Sequence, residues 1–519
     1  YLTMVGMAPG SYRVPSRKTP PGQDNLPTPI GAPLSATGIE PGWFSGEVRL
    51  EDPRERAEDP REVGLGPLPE SLGRWEGILL SETGAVFSYR VGGTRVLERC
   101  RAFKLGEQAV MSRALRIGPH DEALTLVLDQ SGQVEAHCKT GEVAMLDGRL
   151  VVRFAPQSEE TDHVVVVVPR RLESGADIVA ESANAGLEKA ETPAPARWRE
   201  VITTKGTPSL NQDAFVIDEI ALPVPNPWRR NVRLSGLDFF SDGRAALSTF
   251  DGDVWIVTGI DDSLGEVKWK RFGSGLHEPM GLQIVDDVIY VFDRNGIVRL
   301  VDRNADGEAD FYENFSNVFA QTAETREFAM DLLEKPGGGF YVAKGGQNRG
   351  TIGKHNGSIV EVSADGRSFE VIARGMRQPY AGIDPQTGRI TASDQQGNWV
   401  PATPVRLIEP GSYHGFIPTV VENPVQREEI TEPPVWIPHI VNQSGASQVT
   451  LRGAKMGPLN DSLLHIGYNR PELFKVYLDD SGSVPQGAVV SAVTGFPCAL
   501  LKGAVNPIDG QLYNLSLIH

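Results

Sequence analysis

The sequence is poor in residues that several chemistries require. Its 519 residues hold three cysteines, Cys100, Cys138 and Cys498. These are too few and too scattered for a disulfide framework or a zinc site, and without C-x-x-C-H they carry no covalently attached haem. No apolar run approaches a membrane span; the longest notable one, Val164–Val168, lies between His163 and Arg170. Basic charge is in deficit: 50 Lys and Arg face 67 Asp and Glu, for a net charge of −17. Nucleic acids and anionic membranes require concentrated positive surface, so this balance argues against both as partners. The G-x-S-x-G, H-E-x-x-H, Walker A and G-x-G-x-x-G patterns are missing, which argues against a Rossmann enzyme or an α/β serine hydrolase. No signal-peptide apolar region follows Tyr1, and both ends read as cut.

What is present is a turn-rich globular composition. Hydrophobic residues make up 40% and charged residues 23%, with 56 Gly and 38 Pro, which suits two to four domains built mainly from β-strands. Residues 1–64 are rich in Pro, Gly and charge and read as a lead-in. Residues 65–172 hold short apolar runs between Gly-containing turns, such as "ALTLVLDQSGQVEAHC" and "HVVVVVPRR", and are expected to form an antiparallel, sandwich-like β domain. Residues 173–205 read as a linker, with a short helix or tether over Ser174–Pro195. From 206 to 519 a strand–turn–strand unit recurs, with starts at Gly236, Gly281, Ala329, Ala381, Leu459 and Ala504. Spacings of mostly about 40–50 residues between short strands predict propeller blades, six of them. The expected fold is all-β: a six-bladed β-propeller behind an antiparallel β domain.

The most specific local pattern runs from Asp302 to Glu313. Asp302, Asn304, Asp306, Glu308, Asp310 and Glu313, with Gly307 at the turn, match the spacing of a twelve-residue calcium loop. Calcium needs six to eight oxygen ligands, and the glycine lets the chain bend around the ion. The strand-like "GIVRLV" before it makes this a loop between strands, with a structural role; the alternative is a solvated acidic turn.

His277, in "GLHEPMGL", precedes the strand that opens the second repeat, where an imidazole could serve as a base or simply be a hydrogen-bonded structural residue. Arg377 and Gln378, in "GMRQPYAGI", precede the fourth-repeat strand in the same way, and Gln396, Gly397 and Asn398 follow it in "ASDQQGNWVP". One guanidinium, several amides and Trp399 suit an anionic, planar or sugar-like ligand; the bland reading is a polar loop. A third polar loop, with Lys344, Gln347, Asn348, Arg349, Lys354 and His355, reads as solvated.

Taken together, "GLDFFSDGRAALSTFDGDVWIV", "SGLHEPMGLQIVDDVIYV", "DRNADGEADFYENF", "ASDQQGNWVP" and "VNPIDGQLY" resemble the glucose/sorbosone dehydrogenase superfamily of six-bladed propellers. They look closest to its planctomycete-type multidomain branch of membrane-bound dehydrogenase or haem-binding proteins. "LGPLPESLGRWEGILLSETGAVFSYRVGGTRVLE" resembles the DUF6797 domain found ahead of such propellers. The resemblance implies an oxidoreductase acting on a sugar-like alcohol or aldose, with His277 as the general base. It implies that Arg377 and Gln378 contact a pyrroloquinoline quinone cofactor (PQQ) and substrate, that Gln396, Gly397 and Asn398 line its loop, and that Arg452 lies near a cofactor-binding lysine. It further implies a periplasmic or extracellular location, a cytochrome c electron acceptor, and haem c only in a domain beyond this chain. The pattern departs where the family carries two arginines on the quinone carboxylates, since here Ala499–Gly503 reads ALLKG. That loss favours the alternative of a non-catalytic, calcium-stabilised propeller that binds glycans or partner proteins, whereas His277, Arg377 and Gln396 together favour the dehydrogenase, which is the leading reading; a propeller hydrolase or lactonase is a third. The final "NLSLIH" also departs from the family and reads as truncation or a non-native tail.

Overall fold

A computed structural model of the protein describes residues 34–38, 41–56, 65–105, 108–170, 187, 189–322, 326–346, 352–397, 400–416 and 429–516, with short strands at 4–5, 28–29 and 62–63. Apart from one 3-10 turn at Gly457–Leu459, the described elements are β-strands. None of the described helices is long and apolar enough to cross a membrane. The chain divides into two compact units: Tyr1–Pro53, Leu68–Trp75 and Ser81–Thr192 form one, and Arg54–Pro67, Glu76–Leu80 and Pro193–His519 the other.

The first unit is an antiparallel sandwich. One sheet carries Gly84–Val91, Thr94–Leu105, Gln108–Ile117, Thr161–Pro169 and Val134–Cys138; the other carries Trp43–Ser45, Leu124–Asp129, Arg149–Phe154 and Glu142–Leu146. Leu115, Ile117, Leu126, Val152, Phe154 and Val165 fill the space between them. The valine run predicted to be a strand is one, and its inward residues are buried because both neighbours in its sheet are paired.

The second unit is a propeller. Its sheets are consecutive antiparallel meanders whose first strands are Leu234–Phe239, Gly281–Val285, Ala329–Glu334, Tyr380–Ile383, Gly445–Thr450 and Lys502–Val505. These six strands touch in chain order, and the last touches the first, so they close a ring. Sheets stacked face to face bury both sides of their inner strands. Ala245–Thr249 and Thr403–Ile408 are therefore buried at every position, while the outermost strand of the fifth sheet, Gln486–Val493, is largely exposed. Glycine permits the close approach around the axis: a Cβ on Gly382 would lie 2.2 Å from the Gln448 carbonyl oxygen of the next sheet.

At the axis, Lys502 from the sixth sheet donates to the Met280 and Met330 carbonyls and to the Asp331 carboxylate. Asp331 also accepts the Ala381 N–H at 2.8 Å and the Ser447 hydroxyl at 3.3 Å. One buried ion pair thus ties together the inner strands or their leads from five sheets. Burial pushes the Asp331 carboxyl up and the Lys502 ammonium down, and their mutual attraction opposes both shifts.

Two boundaries differ from the sequence reading. Val201–Thr204, placed in the linker, is the outermost strand of the first sheet; most of the expected helix or tether over 174–195 lies outside the described residues. The fifth repeat begins at Gly445, ahead of Leu459. Its inner strand, GASQVT, escaped notice because buried Ser447 and Gln448 break the apolar pattern.

Candidate functional site

Strands in a meander alternate in direction. The loops leading into first strands therefore lie at the same end of each sheet as the loops joining second to third strands. His277, Arg377, Gln378, Gln396 and Gly397 all belong to these loops. In the second sheet, Asp293 ends the second strand and accepts the His277 N–H at 3.0 Å. In the fourth sheet, Asp394 follows the second strand and accepts the N–H groups of Arg377, Gln378 and Gln395 at 3.0, 2.7 and 2.7 Å. His277-Glu278-Pro279 and Arg377-Gln378-Pro379 are thus equivalent positions, each clamped by an aspartate 16 or 17 residues downstream. Sequence reasoning missed both clamps, although the repeated spacing could have revealed them. Burial pushes both aspartate pKa values up, while the N–H donors favour the charged form.

Loops of the intervening third sheet connect the two positions. Gln321 donates to the Asp293 carbonyl at 3.3 Å, Gln378 Nε2 to the Arg326 carbonyl at 2.9 Å, and the Gly346 N–H to the Arg377 carbonyl at 2.9 Å. His277 is exposed, and its imidazole makes no hydrogen bond among the described residues. Arg377 is half-buried and donates to the Gln396 carbonyl; burial lowers its pKa, and Asp394 opposes that shift. Gln378 Oε1 and Gln396 Nε2 are buried without a partner among the described residues. Gly397 leaves room for the Phe416 ring, which a Cβ there would meet at 2.6 Å. Asn398 and Trp399 lie outside the described residues, as do Gln347, Asn348 and Arg349.

Most other cations at this end are already committed. Arg294 pairs with Glu278 at 2.6 Å, and fully buried Lys344 pairs with Glu327 at 2.6 Å. Lys344 is therefore not part of a solvated loop. Burial, reinforced by Lys344, lowers the pKa of nearby His355 to about 3. Arg406 is buried near Asp394 and lies 3.1 Å from His414 Nδ1. Arg452 is placed elsewhere: it follows the first strand of the fifth sheet and pairs with Asp384, which follows the first strand of the fourth, at 2.7 Å. That is the opposite end of the strands, so the structure does not bring Arg452 to Arg377.

These residues allow a test of the quinone expectation. Arg377 and the unpartnered Gln396 amide provide donors suited to quinone carbonyl oxygens. Within this cluster Arg377 makes no side-chain ion pair among the described residues, and Lys502 is consumed at the axis. The set fits a quinone ring better than it fits several carboxylates.

The calcium loop is divided. Asp302 accepts the N–H groups of Asp306 and Gly307 at 3.2 and 2.7 Å, and Asn304 donates to Asp306 at 3.1 Å, so these three stay together. The other three expected ligands are engaged elsewhere. Glu308 accepts from the backbone of Arg197 and Trp198, Asp310 pairs with Arg303, and Glu313 lies in a strand and pairs with Arg299. The six-ligand set does not converge in this structure. Among the described residues, no group of three or more His, Cys, Asp or Glu side chains is spaced to hold a metal ion.

Residues 3–98 match the family described as a domain of unknown function (DUF6797), taking in most of the lead-in and the first part of the 65–172 region. No curated protein matches the chain. Among solved structures, similarity extends to a proposed oxidoreductase (glucose dehydrogenase) from Thermus thermophilus, with 20% identity and a TM-score of 0.40 over 55% of this chain and 90% of that one. PQQ-bound aldose sugar dehydrogenase from Streptomyces coelicolor is 15% identical, with a TM-score of 0.40 over 53% of this chain and 85% of that one. The PQQ domain of pyranose dehydrogenase from Coprinopsis cinerea is 12% identical, with a TM-score of 0.39 over 63% of this chain and 96% of that one.

Proposed function

We propose that the loop end carrying His277 and Arg377 binds a sugar-like polyhydroxyl ligand, and that the protein is a dehydrogenase-type enzyme acting on it. The supporting observation is the arrangement of an exposed imidazole, a half-buried guanidinium, and the Gln378 Oε1 and Gln396 Nε2 atoms, unpartnered among the described residues, on loops tied together at one end of the propeller. Its exposed position suits His277 to take the hydroxyl proton as the carbinol carbon is oxidised. Gln378 Oε1 accepts from a second hydroxyl and so orients the ring. Arg377 and Gln396 would hold a quinone-type cofactor, which supplies the two-electron acceptor for the carbon-bound hydrogen. A cytochrome c as the final acceptor and an extracytoplasmic location complete this reading.

A second reading, non-catalytic binding of glycans or partner proteins, draws support from the ion pairs that absorb Arg294, Lys344 and Lys502. Aldose-dependent dye reduction by PQQ-reconstituted protein, measured beside calorimetric aldose binding, separates the two. The dehydrogenase reading expects His277→Ala to lower turnover by about 10²–10⁴-fold while binding persists. Aldose binding by the wild type without turnover favours the second reading, and no aldose binding removes the dehydrogenase reading.

A further inference from the structure

Positive charge collects at the fourth sheet of a chain whose net charge is −17. Arg377 leads into its first strand, and Arg406 lies in its third, Thr403–Ile408. Asp394 attracts both guanidinium groups but forms an ion pair with neither among the described residues, and both its oxygens accept backbone N–H groups. Arg377 gives one side-chain hydrogen bond, from Nη1 to the Gln396 carbonyl, so its Nε–Nη2 edge is unbonded among the described residues. Arg406 is 1% exposed; its Nη1 lies 3.1 Å from His414 Nδ1, and its Nε and Nη2 have no partner among the described residues. The charge of Arg326 also acts on Arg377. Other acids offer little balance, since Glu278 and Glu327 pair with Arg294 and Lys344, and Glu432, which attracts Arg406, is exposed. Three guanidinium groups therefore share one buried carboxylate whose oxygens are already engaged.

We infer that the Nε–Nη2 edge of Arg377 receives a carboxylate of the ligand, and that the sugar bound at this end is a sugar acid such as a hexuronate. This rests on the sugar-binding reading of the His277–Arg377 end. A guanidinium edge presents two parallel N–H groups at the spacing of two carboxylate oxygens, and such forked, charge-assisted pairs are strong and directional. Arg406 and Arg326 favour the same anion without touching it, because charges at a partly buried site are weakly screened. A neutral hydroxyl would leave that excess of positive charge unbalanced. In a hexuronate the carboxylate and the anomeric carbon stand at opposite ends of the ring, so anchoring the acid on the fourth sheet leaves the anomeric hydroxyl free to meet a base on another sheet. The second Nη1 hydrogen of Arg377 and the Gln396 amide remain for a quinone carbonyl.

Calorimetry on the whole chain without cofactor tests this with glucuronate, its neutral amide glucuronamide, and glucose. The wild type should bind glucuronate about tenfold or more tighter than either neutral sugar. Arg377→Gln should abolish that preference while glucuronamide still binds, which shows that the site remains folded. Arg406→Gln should narrow the preference, and Arg406→Lys, which keeps the charge, should retain it. Equal wild-type affinities for the three sugars would overturn the inference and leave the sugar-binding reading standing, whereas no binding of any of them would remove both. A preference for glucuronate that survives Arg377→Gln would also overturn it, and weaker PQQ retention by that variant would then assign the edge to the cofactor. Tighter binding of glucose 6-phosphate than of glucuronate would overturn the carboxylate in favour of a phosphate.

Discussion

Lys502 shows how one side chain can hold a ring of sheets. Its ammonium satisfies two carbonyls and Asp331, so its loss leaves a buried carboxylate without a counter-charge. Lys502→Met should therefore cost about 3–5 kcal/mol in denaturant unfolding, and Lys502→Met with Asp331→Leu should recover most of it. His465 gives a test in pH. It is fully buried, its Nε2 lies 3.3 Å from Asn442 Oδ1, and burial lowers its pKa to about 4. Below the unfolded value of about 6.5 the unfolded chain takes up a proton and the folded chain does not, so acidification costs stability until the folded pKa is reached. The stability of the wild type relative to His465→Gln should fall by about 2 kcal/mol between pH 7 and pH 5. A constant difference across that range would refute the buried neutral imidazole.

Inner strands and turns carry the next set of constraints. Gly382→Ala drives a methyl against the Gln448 carbonyl of the neighbouring sheet and should cost about 1–3 kcal/mol, with the Tm falling accordingly. In the acidic loop, Asp310 is buried and holds both the Arg303 side chain and its N–H. Asp310→Asn should destabilise by about 1–3 kcal/mol, equally with calcium and with chelator. Calcium protection of the wild type that is lost in the variant would instead show Asp310 serving as a calcium ligand. This loop separates spacing from geometry. The sequence interval matches a calcium loop, but tertiary partners from residues 197–198, Arg299 and Arg303 claim the later carboxylates.

For the molecule as a whole, an excess of 17 negative charges predicts no retention on heparin at neutral pH and low salt; retention that falls steeply with salt would reveal a basic face. The all-β architecture was legible because short apolar strands and glycine turns recur at a regular spacing, and His277 and Arg377 stood out as matched positions ahead of repeat strands. Local pattern by itself determined these features, since strand alternation and turn chemistry act between near neighbours. The Asp293 and Asp394 clamps left a trace in that pattern, as a repeated spacing, but it could not reveal that Lys502 neutralises Asp331 or that Arg452 turns to Asp384 at the other end. The two clamps close over 16 and 17 residues within one sheet, whereas the Arg452 and Lys502 pairings span 68 and 171 positions and form only where different sheets pack together in the ring. The tertiary structure decided them because a buried charge takes whichever partner the packing brings within reach.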